Sequence, residues 1–170
     1  MKKRILLMVA IAAVLSFTAC KSTDANETGG RKTNNLEGSL EEIMAKIYET
    51  AEVDANFKEY AKSGLYNDEV TAEKAEYYLG KADIEFETAL ASEPMIQPGA
   101  YSLVLVRVKE GADVEKIKTD IKENVNPMKW ICVGVQEENI IVDSIGDVVF
   151  LVMSDDQAKP LHDAFLALEK

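Results

Sequence analysis

Apolar positions along this chain follow two periods, and the change near residue 84 separates a helical part from a mixed part. Leu40, Ile43, Met44, Ile47 and Tyr48 recur at i, i+3, i+4, i+7 and i+8, the spacing that gathers side chains on one face of a helix. Ser39 and Glu42 carry the capping-box spacing at its start, where a hydroxyl and a carboxylate satisfy free amide groups. Two shorter helices are predicted over Asn56–Ser63 and Thr71–Leu79. The intervening "SGLYND" reads as a turn, because Gly64, Asn67 and Asp68 favour reversed backbone.

From Ile84 the period shortens to two. Ile84, Phe86, Thr88 and Leu90 alternate with Glu85, Glu87, Ala89 and Ala91, which predicts a half-buried strand. "SEPMIQPGA", Ser92–Ala100, reads as a loop bounded by two prolines. "YSLVLVRV", Tyr101–Val108, is almost continuously apolar and suits a central strand covered on both faces. Asp113 is the predicted N-cap of a helix that turns Val114, Ile117, Ile121 and Val125 inward, with Pro127 beyond its end. "NIIVDSI" and "DVVFLVM", joined through Gly146 and Asp147, predict a hairpin. Ser154 and Gln157 repeat the capping spacing before a last helix whose Ala158, Leu161, Phe165 and Leu168 face the core. Pro160 there demands a kink or a later helix start.

The predicted class is therefore α+β: N-terminal helices followed by a β-β-α-β-β-α unit, with a four- or five-stranded sheet and helices packed on it. The expectation is helices on one face. The strands flanking the Asp113 helix are expected to lie parallel through a right-handed crossover. "WICVGV", Trp130–Val135, is either a short fifth strand or a plug at one end of the core.

The first residues are patterned for export. Lys2, Lys3 and Arg4 precede the apolar run Ile5–Leu15, which is shorter than the roughly 20 residues that span a hydrocarbon core. It reads as a signal peptide rather than a membrane anchor. Small residues then lead to Cys20. "FTAC" resembles a bacterial lipobox, with Phe17 in the slot that more often holds leucine. The resemblance implies that Cys20 is lipid-modified and becomes the first residue of the mature chain. Residues 1–19 are then the signal peptide. Residues 20–37 form a lipidated polar tether, since Lys21–Asn35 has no aromatic or large aliphatic side chain with which to offset its ordering entropy. Residues 38–170 are the single globular domain.

Charge narrows the partners. The chain has 19 Lys and Arg against 30 Asp and Glu, and removing Lys2, Lys3 and Arg4 leaves 16 against 30, a net charge of −14. Clustered cations that neutralise phosphates are missing, so nucleic acid is not an expected partner. With Cys20 acylated, Cys132 is the remaining thiol, which leaves no internal disulfide. Its apolar neighbours Ile131 and Val133 predict a packed, unreactive thiol.

Candidate chemistry is sparse. One histidine, His162, rules out a zinc site built from several imidazoles, and no HExxH or phosphate-cradling glycine loop occurs. Glu137, Glu138, Asp143, Asp147, Asp155 and Asp156 crowd the C-terminal half without calcium-loop spacing. No catalytic residue, metal or cofactor is assigned. Three apolar residues are candidates for an interaction surface: Met95 and Ile96, held between two prolines, and Trp130 as an aromatic anchor.

The phrases "SEPMI", "AYSLVLVRVKEGADVEKIK", "NPMKWICV" and "GDVVFLVMSD", behind a lipobox and a polar tether, resemble an uncharacterised family of Gram-positive bacterial lipoproteins defined by a domain of unknown function. The resemblance implies an exported, membrane-anchored α/β domain and brings no activity with it. The expected function is an extracytoplasmic, lipid-anchored module that contacts the membrane through Cys20 and binds an envelope protein or peptide without catalysis. The competing reading is an envelope hydrolase using carboxylates or a captured metal.

Overall fold

The computed structural model describes residues 35–169; the signal segment, Cys20 and the tether up to residue 34 lie outside them. The chain runs α1 (Leu40–Thr50), α2 (Ala55–Ser63), β1 (Leu65–Glu69), α3 (Ala75–Leu79), β2 (Thr88–Pro94) and β3 (Ser102–Arg107). It continues through α4 (Val114–Asn124), β4 (Ile140–Ile145), β5 (Val148–Met153) and α5 (Ala158–Leu166). The strands form one antiparallel sheet in the order β1-β2-β3-β5-β4, and the fold is α+β with helices packed on the sheet.

The two central strands decide the layering. Val104 and Val106 of β3 and Val149 and Leu151 of β5 face one core with α3 and α4; Leu103, Leu105, Phe150 and Val152 face another with α1 and α5. Strands apolar at every position have two faces to remove from water. Helices therefore cover both faces, which corrects the single helical layer expected from the sequence. Phe150 and Phe165 stack across one of these layers with centroids 4.7 Å apart.

Three other expectations change. β1 occupies the segment read as a turn, because Tyr66 and Asp68 gain ladder bonds beside β2 that their local preference does not supply. β2 begins at Thr88 and extends to Pro94, taking Ser92, Glu93 and Pro94 from the predicted loop, since β3 pairs with it as far as Ser92 and β1 as far as Pro94. The strands flanking α4 are not parallel neighbours: the β4–β5 hairpin folds β5 back into the place beside β3, where it pairs antiparallel.

Local signals at helix starts hold. Ser39 and Glu42 form the reciprocal capping box, and Asp113 accepts the Lys116 amide. Ser154 Oγ accepts the Gln157 amide, but α5 begins at Ala158. That later start puts Pro160 in the first turn, where a missing N–H leaves no helical bond unmade.

Where the described chain enters the fold, Arg107 holds it. Its guanidinium donates to the carbonyls of Leu36 (3.2 and 3.3 Å) and Gly38 (2.9 Å) and to Asp147 of the β4–β5 turn (2.6 Å). Arg107→Ala is expected to cost about 2 kcal/mol, the scale of hydrogen bonds to a charged group. It should also speed proteolysis near residues 35–39. Urea denaturation with timed protease digestion reads both, and an unchanged midpoint with unchanged cleavage would refute the clasp.

Candidate interaction site

β2 ends, β3 begins, β5 ends and β4 begins at the same end of the sheet, so the β2–β3 loop and the α4–β4 loop meet there. One buried ion pair ties them together. Lys129 Nζ lies 2.6 Å from Glu93 Oε1 and 3.2 Å from Ser102 Oγ, with side-chain exposures of 3% for Lys129 and 2% for Glu93. Three rings surround the ammonium, with centroids at 4.6 Å (Tyr77), 4.9 Å (Tyr78) and 5.2 Å (Trp130). Removal from water pulls the lysine below its ordinary value, and the adjacent carboxylate opposes that pull. Tyr77 reaches the other carboxylate oxygen at 3.4 Å, and Tyr78 donates to Asp68 at 2.8 Å. Burial, reinforced by Glu93, pushes Tyr77 up to about 12. Tyr78 is buried in the core, with its hydroxyl on Asp68.

Lys129 and Trp130 point inward, and the residues on either side of them point out. Met128 is 61% and Ile131 72% exposed, beside the β2–β3 loop with Met95 at 61% and Ile96 at 82%. Trp130 is only 5% exposed and closes the end of the core. It therefore leaves the predicted interaction surface, whose remaining members Met95 and Ile96 are joined by Met128 and Ile131. The segment 130–135 is the plug and not a strand: Cys132 sits at φ 61°, a left-handed backbone that no strand accommodates. Cys132 is exposed, which corrects the packed thiol expected from its apolar neighbours. The loop is closed by the Val135 amide bonding to the Pro127 carbonyl at 3.0 Å. Next to it lies a depression of about 550 Å³ whose lining includes Glu123, Glu137 and Glu138.

The remaining titratable groups are dispersed into structural roles. His162 Nε2 is 2.8 Å from Asp143 Oδ2, and Lys118 approaches Asp143 Oδ1 at 3.5 Å. His162 thus braces α5 against β4 and has no hydrogen bond to a serine, threonine or cysteine among the described residues. Burial works against the charged form of Asp143, but the His162 bond, the Ser144 amide and the Lys118 charge outweigh it and hold the carboxyl below its ordinary value. Asp155 accepts from the Gln136 amide and Asn139, while Asp147 binds Arg107. Among the described residues no three His, Cys, Asp or Glu side chains are grouped to hold a metal, and no helix is long and apolar enough to cross a membrane.

Sequence reasoning placed Met95 and Ile96 correctly in a loop but overlooked Lys129 and Glu93. The available signal was a single lysine set between Met128 and Trp130 in an apolar stretch. No family model matches the chain, and no curated protein or solved structure is significantly similar to it.

Lys129→Met leaves Glu93 buried without its counter-charge and should cost about 3–5 kcal/mol, whereas the double variant Lys129→Met/Glu93→Leu should recover most of that loss. A double-mutant cycle by urea denaturation checks both; a loss under about 1 kcal/mol for Lys129→Met would remove the ion pair from its assigned role. Asp143 predicts an acid limit. Because its folded-state pKa is depressed, its contribution is present above the ordinary value of 3.8 and is lost as pH falls below it toward the folded value. Asp143→Asn should therefore flatten the acid limb of the stability curve below pH 3.8; superimposable limbs would contradict this.

Proposed function

We propose that this chain is a lipid-anchored extracytoplasmic lipoprotein whose folded part is a non-catalytic interaction module of the bacterial cell envelope. The observation that carries the interaction reading is the set of four exposed apolar side chains, Met95, Ile96, Met128 and Ile131, at one end of the sheet. Large apolar residues held together on a surface are the usual mark of a contact made with another molecule. Their backbone is fixed from within by the Lys129–Glu93 pair, so little ordering entropy remains to be lost on docking. The acidic depression beside them favours a partner that carries both apolar and cationic side chains.

The anchor rests on the N-terminal sequence: the cationic start, the short apolar run and the lipobox-like "FTAC". The described chain enters the fold at Leu36, against Arg107 at the far end of β3 from Ser102. That point lies at the opposite end of β3 from the apolar loops. The lipoprotein family suggested by "NPMKWICV" and "GDVVFLVMSD" fits this arrangement.

Two measurements test the reading separately. Cys20→Ser should abolish incorporation of labelled fatty acid and release the protein from the membrane fraction; unchanged retention would sink the anchor. Ile96→Ser combined with Ile131→Ser should leave the urea midpoint within about 0.5 kcal/mol of wild type, as for exposed positions. The same variant should lose most of the crosslinked species formed in intact cells. Undiminished crosslinking would refute the apolar end as the contact.

A further inference from the structure

The two edges of the sheet are finished differently. At β4, the outward carbonyl of Ile140 accepts the Lys122 ammonium, and the Ser144 amide donates to Asp143 Oδ1 at 2.8 Å. α4 lies along that edge. β1 has no such cover. Its register with β2, together with the flanking bonds from the Val70 amide to the Ala89 carbonyl and from the Met95 amide to the Gly64 carbonyl, assigns the inward ladder to even-numbered positions. The amide and carbonyl groups of Leu65, Asn67 and Glu69 therefore point away from the sheet. None of them has a hydrogen-bond partner among the described residues. Three such pairs, repeating every second residue, match the main chain of one extended strand.

A second feature lies beside this edge. Leu65 and Asn67 also line a cavity of about 310 Å³ with Met44 and Tyr48 of α1. Ser92 lines it too, at 1% exposure. Its hydroxyl, though close to Tyr48, makes no hydrogen bond of proper geometry. An unpaired buried hydroxyl is costly to leave dry.

The geometry points to β1 as a docking edge for an extended, cationic peptide segment that adds a sixth strand to the sheet, with a side chain entering the cavity beside Leu65 and Asn67. Charge selects the occupant. Glu69 is exposed on the edge itself, and Glu41 lines the cavity, where the one lysine of the lining, Lys62, lies 3.8 Å from Glu59. A second copy of this acidic chain would bring the same carboxylates and a net charge of −11 against each other. A lysine- or arginine-bearing strand pairs its main chain with the three free positions and its cations with those acids. The edge begins next to Met95, whose amide bonds the Gly64 carbonyl, but it binds through main-chain groups rather than the apolar side chains, so undiminished crosslinking in the Ile96/Ile131 variant leaves it standing.

The test uses the isotopically labelled full chain and a blocked synthetic hexapeptide of alternating lysine and valine, with a glutamate–valine counterpart. At a concentration tenfold above its dissociation constant, the lysine peptide should slow exchange of the Leu65, Asn67 and Glu69 amides about tenfold beyond their free-state rates. Asn67→Pro removes an outward N–H and no ladder bond, so it should abolish the effect while the fold persists. Glu69→Lys, which leaves the backbone untouched, should weaken lysine-peptide binding and keeps the test decisive if the proline variant unfolds. Absence of protection, or equal protection by the glutamate peptide, would overturn the proposal. So would protection that rises with protein concentration alone, which would identify a second copy as the occupant.

Discussion

The exposed end of this protein depends on a charge that is hidden. Lys129 and Glu93 meet at 2.6 Å with almost no exposure, and the pair joins the last turn of β2 to a loop of irregular backbone between α4 and β4. Hydrogen bonding to Ser102 and three aromatic faces around the ammonium replace the water that burial removes. A simple apolar contact would fill the same space, but an ion pair also fixes direction. With Lys129 drawn in, Trp130 turns into the core, and Met128 and Ile131 are left facing solvent.

The sheet behind this end is a two-sided core. β3 and β5 carry apolar residues at successive positions, so each strand feeds both layers, and the helices divide between them: α1 and α5 on one side, α3 and α4 on the other. The two ends of the sheet differ in what they carry. One end holds the chain entry through Arg107 and Asp147; the other holds the apolar loops. The edges also differ, since lysine and aspartate side chains occupy groups of β4 while β1 presents its main chain bare.

Much of the architecture was legible because it is dictated locally. Capping at Ser39 and Asp113, the two-residue turn at Gly146 and Asp147, and the helical stripe of α1 each depend on residues within a few positions of one another. β1 was not legible: five mostly polar residues in "LYNDE" carry no strand signal, and only the neighbouring β2 makes them one. Cys132 and Ile131 misled for a related reason. An apolar run predicts burial only where the backbone continues straight, and here it reverses at φ 61°.

The sequence by itself determined the α+β class, the positions of most helices and the β4–β5 hairpin, together with the chain's net negative charge. These follow from periodicity, capping chemistry and composition, which are properties of short windows. Tertiary structure alone decided that helices cover both faces and that β5 stands between β3 and β4. It also decided that Lys129 is buried while Met128 and Ile131 are not. Each of these depends on which distant segment lies alongside: a lysine enters a core only where a carboxylate some 36 residues away waits for it, and no window of sequence contains that encounter.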